Sequence, residues 1–311
     1  MTSTCIAVTG AGGFVGSRVV AALRARGCAA VLTPSRRDCN LLDLAHTAAW
    51  VQANKPDTII HCAAATGGIA WNAAHGLDAF RDNMLMILSL ADAACAHGVS
   101  HVTHVSTSIA YPSHTQPPFT EDELWSGRPG GPTAGYAHAK RLGQVVLELG
   151  SRSGDLTAAV VMPANVYGSG ARMDPDRANV VGAMVRRFVD AASRGLQRVE
   201  CWGTGTPERE FIHVDDVAEG IVRATERVTV PEPINLGTGR MCSIRELAER
   251  VASAAEWTGT IDWDASRPDG VPSVCCDVSR MRSQLDWMPA MSLTDGLREM
   301  VDWYQGLAEK L

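Results

Sequence analysis

The 311-residue chain is poor in lysine, poor in aromatic side chains and without any surplus of positive charge. Its 28 Lys and Arg against 34 Asp and Glu leave a net charge of −6, so nothing is in excess to neutralise a phosphate backbone or an anionic bilayer, and neither nucleic acid nor membrane is an expected partner. No apolar stretch reaches the roughly 18 residues that a membrane-spanning helix requires. Met1–Ile6 lacks a basic start followed by an apolar block, and we therefore expect a soluble, unprocessed, cytoplasmic chain. Cysteine pairs at C-x-x-C spacing are also missing. The nine cysteines are an odd set, and Cys5 and Cys62 lie inside apolar runs, which fits small buried hydrophobes in a reducing compartment. Lysine occurs only at Lys55, Lys140 and Lys310, so a motif that contains one carries information.

What is present is 46% apolar side chains, enough to bury a large core in one large or two coupled domains. Apolar runs at Thr4–Thr9, Ala29–Leu32, Thr58–Ala65, His101–Thr107 and Thr157–Met162 read as strands. Helical spacing over Ser17–Arg26, Leu77–His97 and Ala134–Ser151 alternates with them. Helices between apolar strands predict an α/β fold with a doubly wound parallel sheet of the Rossmann type. After Pro163 the pattern loosens around Gly168–Pro175 and Gly203–Pro207, with helical spacing returning over Val180–Ala192. Ser243-Ile-Arg-Glu246 and Ser292-Leu-Thr-Asp295 resemble capping boxes before two late helices. The expected division is a Rossmann domain of 1–163 plus 211–237 and a smaller, discontinuous substrate domain of 164–210 plus 238–311.

Three groups of residues carry chemistry. Gly10-Ala-Gly-Gly13-Phe14-Val15-Gly16 follows the first strand and opens the first helix, the context in which a glycine pattern binds a dinucleotide pyrophosphate. An ordinary glycine turn is the alternative. The second strand ends near Arg36 and Arg37, where an NAD-binding chain carries an acidic residue; two guanidiniums suit a 2′-phosphate and hence NADP(H), or are a solvated pair. Tyr136-Ala-His-Ala-Lys140 places phenol and ammonium on one helical face, and four tyrosines and three lysines in this length give such spacing about 0.04 times by chance. An adjacent ammonium favours phenolate and eases proton exchange with a carbonyl. Ser108 at the end of the fourth strand would hydrogen-bond the same oxygen, if it is more than a turn residue.

Glycine loop, Ser108, Tyr136 and Lys140 together resemble the extended short-chain dehydrogenase/reductases, and within them the GDP-L-fucose synthases, NADPH-dependent 3,5-epimerases and 4-reductases of GDP-4-keto-6-deoxymannose. The similarity runs through Asn40-Leu41-Leu-Asp43, Ala63-Ala64-Ala65-Thr-Gly-Gly-Ile69, Tyr111-Pro112, Pro163-Ala-Asn165-Val166-Tyr-Gly168, Arg186-Arg187-Phe188, Trp202-Gly-Thr-Gly205 and Arg209 to Asp216. It implies cofactor contacts from those residues of the first, second and fourth blocks and from Ser106, with Lys140 holding the ribose. It implies substrate contacts from Ser108, Ile109, Asn165, Asn179, Arg187, Trp202, Arg209 and Asp277, and a homodimer. Trp202 alone would as readily be a core aromatic.

Three departures qualify the resemblance. The family's epimerisation cysteine and histidine are replaced by Ile109 and Asn179, which cannot exchange protons near neutral pH, so inversion by that route is lost while hydride transfer survives. Asp269-Gly-Val-Pro-Ser273-Val274 lacks the family's Arg-Lys pair, so the nucleotide or the sugar is open to change. The sequence thus predicts an NADPH-dependent C4-ketoreductase of a nucleotide-activated 4-keto-6-deoxy or related sugar, GDP-linked by preference, without 3,5-epimerisation. The alternatives are a full GDP-L-fucose synthase with relocated acid/base residues, His114 or His138 among them; a redox-neutral 4-epimerase of such sugars; and a non-catalytic NADPH-sensing protein. His61, His101 and His104 on apolar strands, Cys275-Cys276 and the His213/Asp215 corner are read as structural, and no metal site is assigned.

Overall fold

The computed structural model describes residues 4–308 apart from 153, 155, 175, 176 and 268. Pro175 and Lys310 lie outside the described residues. In chain order the first half comprises β1 (Ile6–Thr9), α1 (Phe14–Ala25), β2 (Val31–Leu32), α2 (Leu44–Asn54), β3 (Thr58–His61), α3 (Ile69–Ala74), α4 (Gly76–Ala96), β4 (His101–Val105), α5 (Ala134–Arg152) and β5 (Thr157–Pro163). The second half holds β6 (Asn165–Tyr167), α6 (Val180–Ser193), β7 (Arg198–Trp202), β8 (Glu208–His213), α7 (Val214–Arg227) and β9 (Pro233–Leu236). It continues with β10 (Met241–Ser243), α8 (Ile244–Ala254), β11 (Thr260–Asp264), β12 (Ser273–Val274), α9 (Ser279–Leu285) and α10 (Leu293–Ala308).

Six strands form one parallel sheet in the order β2-β1-β3-β4-β5-β9. Strand alternation divides its residues between two faces. Ile6 and Val8 join Val19 and Leu23 of α1 and Val217 and Ile221 of α7, whereas Ala7 and Ile59 join Val51 of α2, Ile87 and Leu90 of α4 and Leu147 of α5. Both faces are covered, which is why β1, β3 and β4 are buried along their whole length, polar His61, His101, Thr103 and His104 included. The chain goes from β1 outward to β2 and returns on the other side to β3. Strand order reverses there, and a crevice opens beyond the carboxyl ends of β1 and β3.

A separate apolar cluster gathers Val185 and Phe188 of α6, Leu247 and Val251 of α8, and Leu297 and Met300 of α10 around Tyr167 and Phe211. Its strands are short: β8 pairs with β6, β10 and β12, and β7 with β11.

The structure moves several expected boundaries. α1 begins at Phe14 rather than Ser17, so the glycine motif is the helix start itself. β3 stops at His61, four residues short of Ala65, because side chains rather than a neighbouring strand hold the segment beyond it: Asn83 Oδ1 accepts the Ala65 N–H at 3.1 Å and its Nδ2 donates to the Ala65 carbonyl at 2.8 Å. β4 stops at Val105, and Ser108 starts a 3-10 turn (Ser108–Ala110) instead of closing the strand. Helix α2 carries few long apolar side chains at helical spacing and escaped the periodicity reading, although Asp43 caps it by accepting the His46 N–H at 3.0 Å. Ser243 and Ser292 cap α8 and α10 as their motifs require, accepting the N–H groups of Glu246 and Asp295.

One buried carboxylate fastens the two apolar regions together. Glu210 on β8 is fully buried; its Oε1 accepts the N–H groups of Thr238 and Gly239 at 2.5 and 2.6 Å, and its Oε2 that of Cys276 at 2.8 Å. Burial pushes this carboxyl above its ordinary pKa, and the three N–H groups pull against that shift. Glu210→Ala strands three buried donors, and a loss of about 3 kcal/mol of unfolding free energy is expected in urea denaturation.

Candidate active site

At the crevice β1 and β3 come as close as backbones can. Gly10 has φ +70°, and a Cβ there would sit 2.7 Å from the Ala63 nitrogen; on Gly16 it would sit 2.2 Å from the Gly10 carbonyl oxygen. The glycines thus let α1 start against the strand ends. No side chain caps α1, so the first-turn N–H groups, those of Phe14, Val15 and Gly16 among them, face the crevice side as donors for an anion. Ala63, Ala64 and Ala65 line the other wall after β3. The residues fit a dinucleotide pyrophosphate. Beyond β2, Ser35 and Asp38 form a turn in which the Asp38 carboxylate accepts the Ser35 N–H at 2.9 Å, leaving Arg36 and Arg37 exposed and without an ion pair among the described residues. This arrangement suits a 2′-phosphate. Asn40, Leu41 and Asp43 run from there to the α2 cap.

The catalytic candidates converge from two elements. Thr107 caps the turn after β4, and Ser108, buried to 5% exposure, is presented from it against α5. Tyr136 and Lys140 stand one turn apart on α5. Burial pushes the Tyr136 phenol up to about 12 and the Lys140 ammonium down to about 8. Burial is the cause at both groups, and it favours the neutral phenol at Tyr136 rather than the phenolate expected beside an ammonium. Behind Lys140 the imidazoles of His61 and His104 stack at 5.6 Å, and burial keeps both neutral. His104 Nε2 and Ser106 Oγ each lie 3.1 Å from the Lys140 carbonyl oxygen, so Ser106 acts on the catalytic helix. Tyr111 donates at 2.9 Å to Asn235, tying the serine loop to β9.

The candidate substrate residues occupy several elements. Ile109 is 43% exposed beside Ser108. Asn179 is consumed structurally: its Oδ1 caps α6 on the Gly182 N–H at 2.9 Å and its Nδ2 donates to the Val166 carbonyl at 2.9 Å. Asn165, after Pro163, donates to the Glu210 carbonyl at 2.8 Å. Arg187 donates to the Glu200 carbonyl, and Arg209 to those of Glu208 and Val271 at 2.7 and 2.6 Å, so both are held by backbone oxygens. Asp277 receives the Ser279 N–H at 2.8 Å. Trp202 is 61% exposed and not a core aromatic; Arg267 lies over its ring at 5.1 Å. Sequence reasoning missed Arg267, since nothing in its spacing relates it to Trp202. Asp269 secures the adjoining loop through the Thr204 N–H and hydroxyl at 2.7 and 2.8 Å.

The His213 corner is an interlocked cap. His213 caps α7, Glu299 lies 3.4 Å from its Nε2, and Arg18 stands 3.5 Å from Asp215. The donor atoms of His213, Asp215 and Glu299 fall within 4.8 Å of one another, but the Arg18 guanidinium already supplies positive charge there.

The crowding at Gly16 yields a direct test. Gly16→Ala drives its methyl into the Gly10 carbonyl and displaces α1, so titration of the variant with NADPH, followed by nicotinamide fluorescence, is expected to show at least about tenfold weaker binding.

Residues 6–237 match the NAD dependent epimerase/dehydratase family. GDP-L-fucose synthase 1 of Arabidopsis thaliana is 33% identical over 302 residues, covering 97% of this chain and 93% of the relative. GDP-L-fucose synthase of Escherichia coli K12 is 33% identical over 313 residues, covering 98% and 97%. Among solved structures, the GDP-mannoheptose C4 reductase MlghC from Campylobacter jejuni, determined with NADP bound, shares the fold with a TM-score of 0.89 at 23% identity, covering 98% of this chain and 99% of that one. With its glycine loop at the sheet reversal and Ser108, Tyr136 and Lys140 gathered beside it, the chain belongs to the NAD dependent epimerase/dehydratase family, as an oxidoreductase of the extended short-chain dehydrogenase/reductase type related to the GDP-L-fucose synthases.

Proposed function

We propose that this chain is an NADP(H)-dependent C4-ketoreductase of a nucleotide-activated 4-keto-6-deoxy or related sugar, GDP-linked, that carries out no 3,5-epimerisation. The observation that carries this reading is the contrast within one site. By resemblance to the GDP-L-fucose synthases, Ser108, Tyr136 and Lys140 are the reducing residues, and the two positions that the resemblance assigns to proton exchange at carbon hold an apolar Ile109 and an Asn179 whose amide caps a helix. GDP-linked substrates are named for the relatives, and a C4 reductase is among the proteins that share the fold. In this reading 1–163 with 211–237 bind cofactor, and 164–210 with 238–311 bind the sugar nucleotide.

When bound, NADPH supplies the hydride to C4. Tyr136 gives its phenolic proton to the ketone oxygen as charge develops there, and Ser108 hydrogen-bonds the same oxygen to hold it in line. Lys140 lends positive charge to the phenolate left behind. His104 and Ser106, through the Lys140 carbonyl, fix the register of the helix on which both groups ride. Trp202 offers an exposed ring to a base.

The deciding experiment is turnover of GDP-4-keto-6-deoxymannose with NADPH in D2O, with the product read by NMR. NADPH consumption without deuterium at C3 or C5 is the expected result; deuterium at both carbons would instead favour a complete fucose synthase with relocated acid/base residues. Tyr136→Phe is expected to lose at least about 100-fold in kcat with cofactor binding kept. Lys140 sets the pH dependence. Its ammonium is present below about 8 and is lost as pH rises through that value, so kcat/KM should fall above about pH 8, and Lys140→Met should abolish that limb together with at least about 100-fold of the rate.

A further inference from the structure

Between the segment after β3, the start of α4 and the loop after β6 lies an open cleft of about 390 Å3. It shares no residue with the Trp202 and Arg209 region, and it borders the catalytic helix: Gly135, the neighbour of Tyr136, lies so close to Gly76 at the start of α4 that a Cβ would meet the Gly76 carbonyl oxygen at 2.1 Å. Ala64, Ala65 and Thr66 form one wall, the same segment that borders the dinucleotide crevice. Asn83 holds Ala65 of that wall by accepting its N–H at 3.1 Å and donating to its carbonyl at 2.8 Å, and Asn72 donates to the carbonyls of Gly67 and Gly68 just beyond it at 2.7 and 3.1 Å.

The other walls are charged or aromatic. Trp71 and His75 stack at 4.7 Å with an interplanar angle of 14°. Arg81 is already matched to Asp78 and Asp82 at 3.0 and 2.9 Å. Arg172 and Arg177 reach the cleft from the loop after β6 and have no ion pair among the described residues. The lining therefore offers guanidinium donors, carboxylate acceptors and an aromatic face together. A hydroxyl both donates and accepts, and it is matched by such a set; a methyl group makes neither bond and would desolvate charged groups without return. A 6-deoxyhexose ends in a methyl group and has nothing there to match this lining.

Resting on the reductase reading above, we propose that the cleft is a subsite for a neutral, hydroxylated extension of the sugar, and that the substrate carries at least one carbon bearing a hydroxyl beyond C6. Arg172 and Arg177 are its specificity-determining donors, and Trp71 is the surface on which the extension lies.

Calorimetric titration of the NADP-loaded protein with GDP-mannose and with GDP-mannoheptose tests this without turnover, because neither carries a ketone. GDP-mannoheptose is expected to bind about tenfold more tightly, the equivalent of about 1.4 kcal/mol. The Arg172→Ala/Arg177→Ala variant is expected to bring the two dissociation constants within about twofold. Binding of GDP-mannose with no preference for the heptose, or a preference that survives the double substitution, overturns the subsite and leaves the reductase reading standing. Tighter binding of GDP-mannuronate than of GDP-mannoheptose overturns the neutral assignment in favour of an anion. Failure of both nucleotide sugars to bind overturns the parent reading and this inference with it.

Discussion

The approach of Gly10 to Ala63 is the constraint from which the site is built. No side chain separates the ends of β1 and β3, so the sheet reverses its strand order over the shortest possible gap. That contact lets α1 start directly at the strand end with no side chain capping its N–H groups, and it makes the alanines after β3 the facing wall. Any substituent on Gly10 or Gly16 would separate these parts, since steric exclusion at 2.2 to 2.7 Å far exceeds the cost of an ordinary packing adjustment.

The catalytic groups depend on a second set of contacts, mostly to backbone. Lys140 is buried, its carbonyl is taken by His104 and Ser106, and the space for the His104 ring exists because residue 143 is a glycine. The neutral histidine stack gives Lys140 no countercharge, and burial leaves an ammonium that titrates near 8. The phenol moves in the opposite direction for the same reason: burial disfavours the charged form, which is phenolate for one group and ammonium for the other. Burial thus favours a protonated phenol at Tyr136 and makes the Lys140 ammonium easier to deprotonate.

Asn179 is engaged structurally through both ends of its amide. An amide accepts and donates at once, so it can cap α6 through Oδ1 and bind the β6 carbonyl of Val166 through Nδ2. A helix cap of this kind contributes about 1 kcal/mol. Beside Ser108, Ile109 presents an exposed hydrocarbon side chain.

The sequence by itself determined the alternating α/β order, the dinucleotide loop and the Tyr136/Lys140 pair, because each is local: apolar periodicity, glycine spacing and a separation of four residues act within one element and its neighbour. Helix α2 was illegible because its small, mixed side chains mark no apolar stripe, and the end of β3 because asparagines distant in sequence hold the loop. Only tertiary structure decided the protonation of Tyr136 and Lys140, the pairing of Arg267 with Trp202, the Glu210 fastening, and the meeting of Trp71 and Asp78 with Arg172 and Arg177 at one cleft. Burial and contact between segments far apart in the chain are properties of the packed molecule, and no local pattern encodes them.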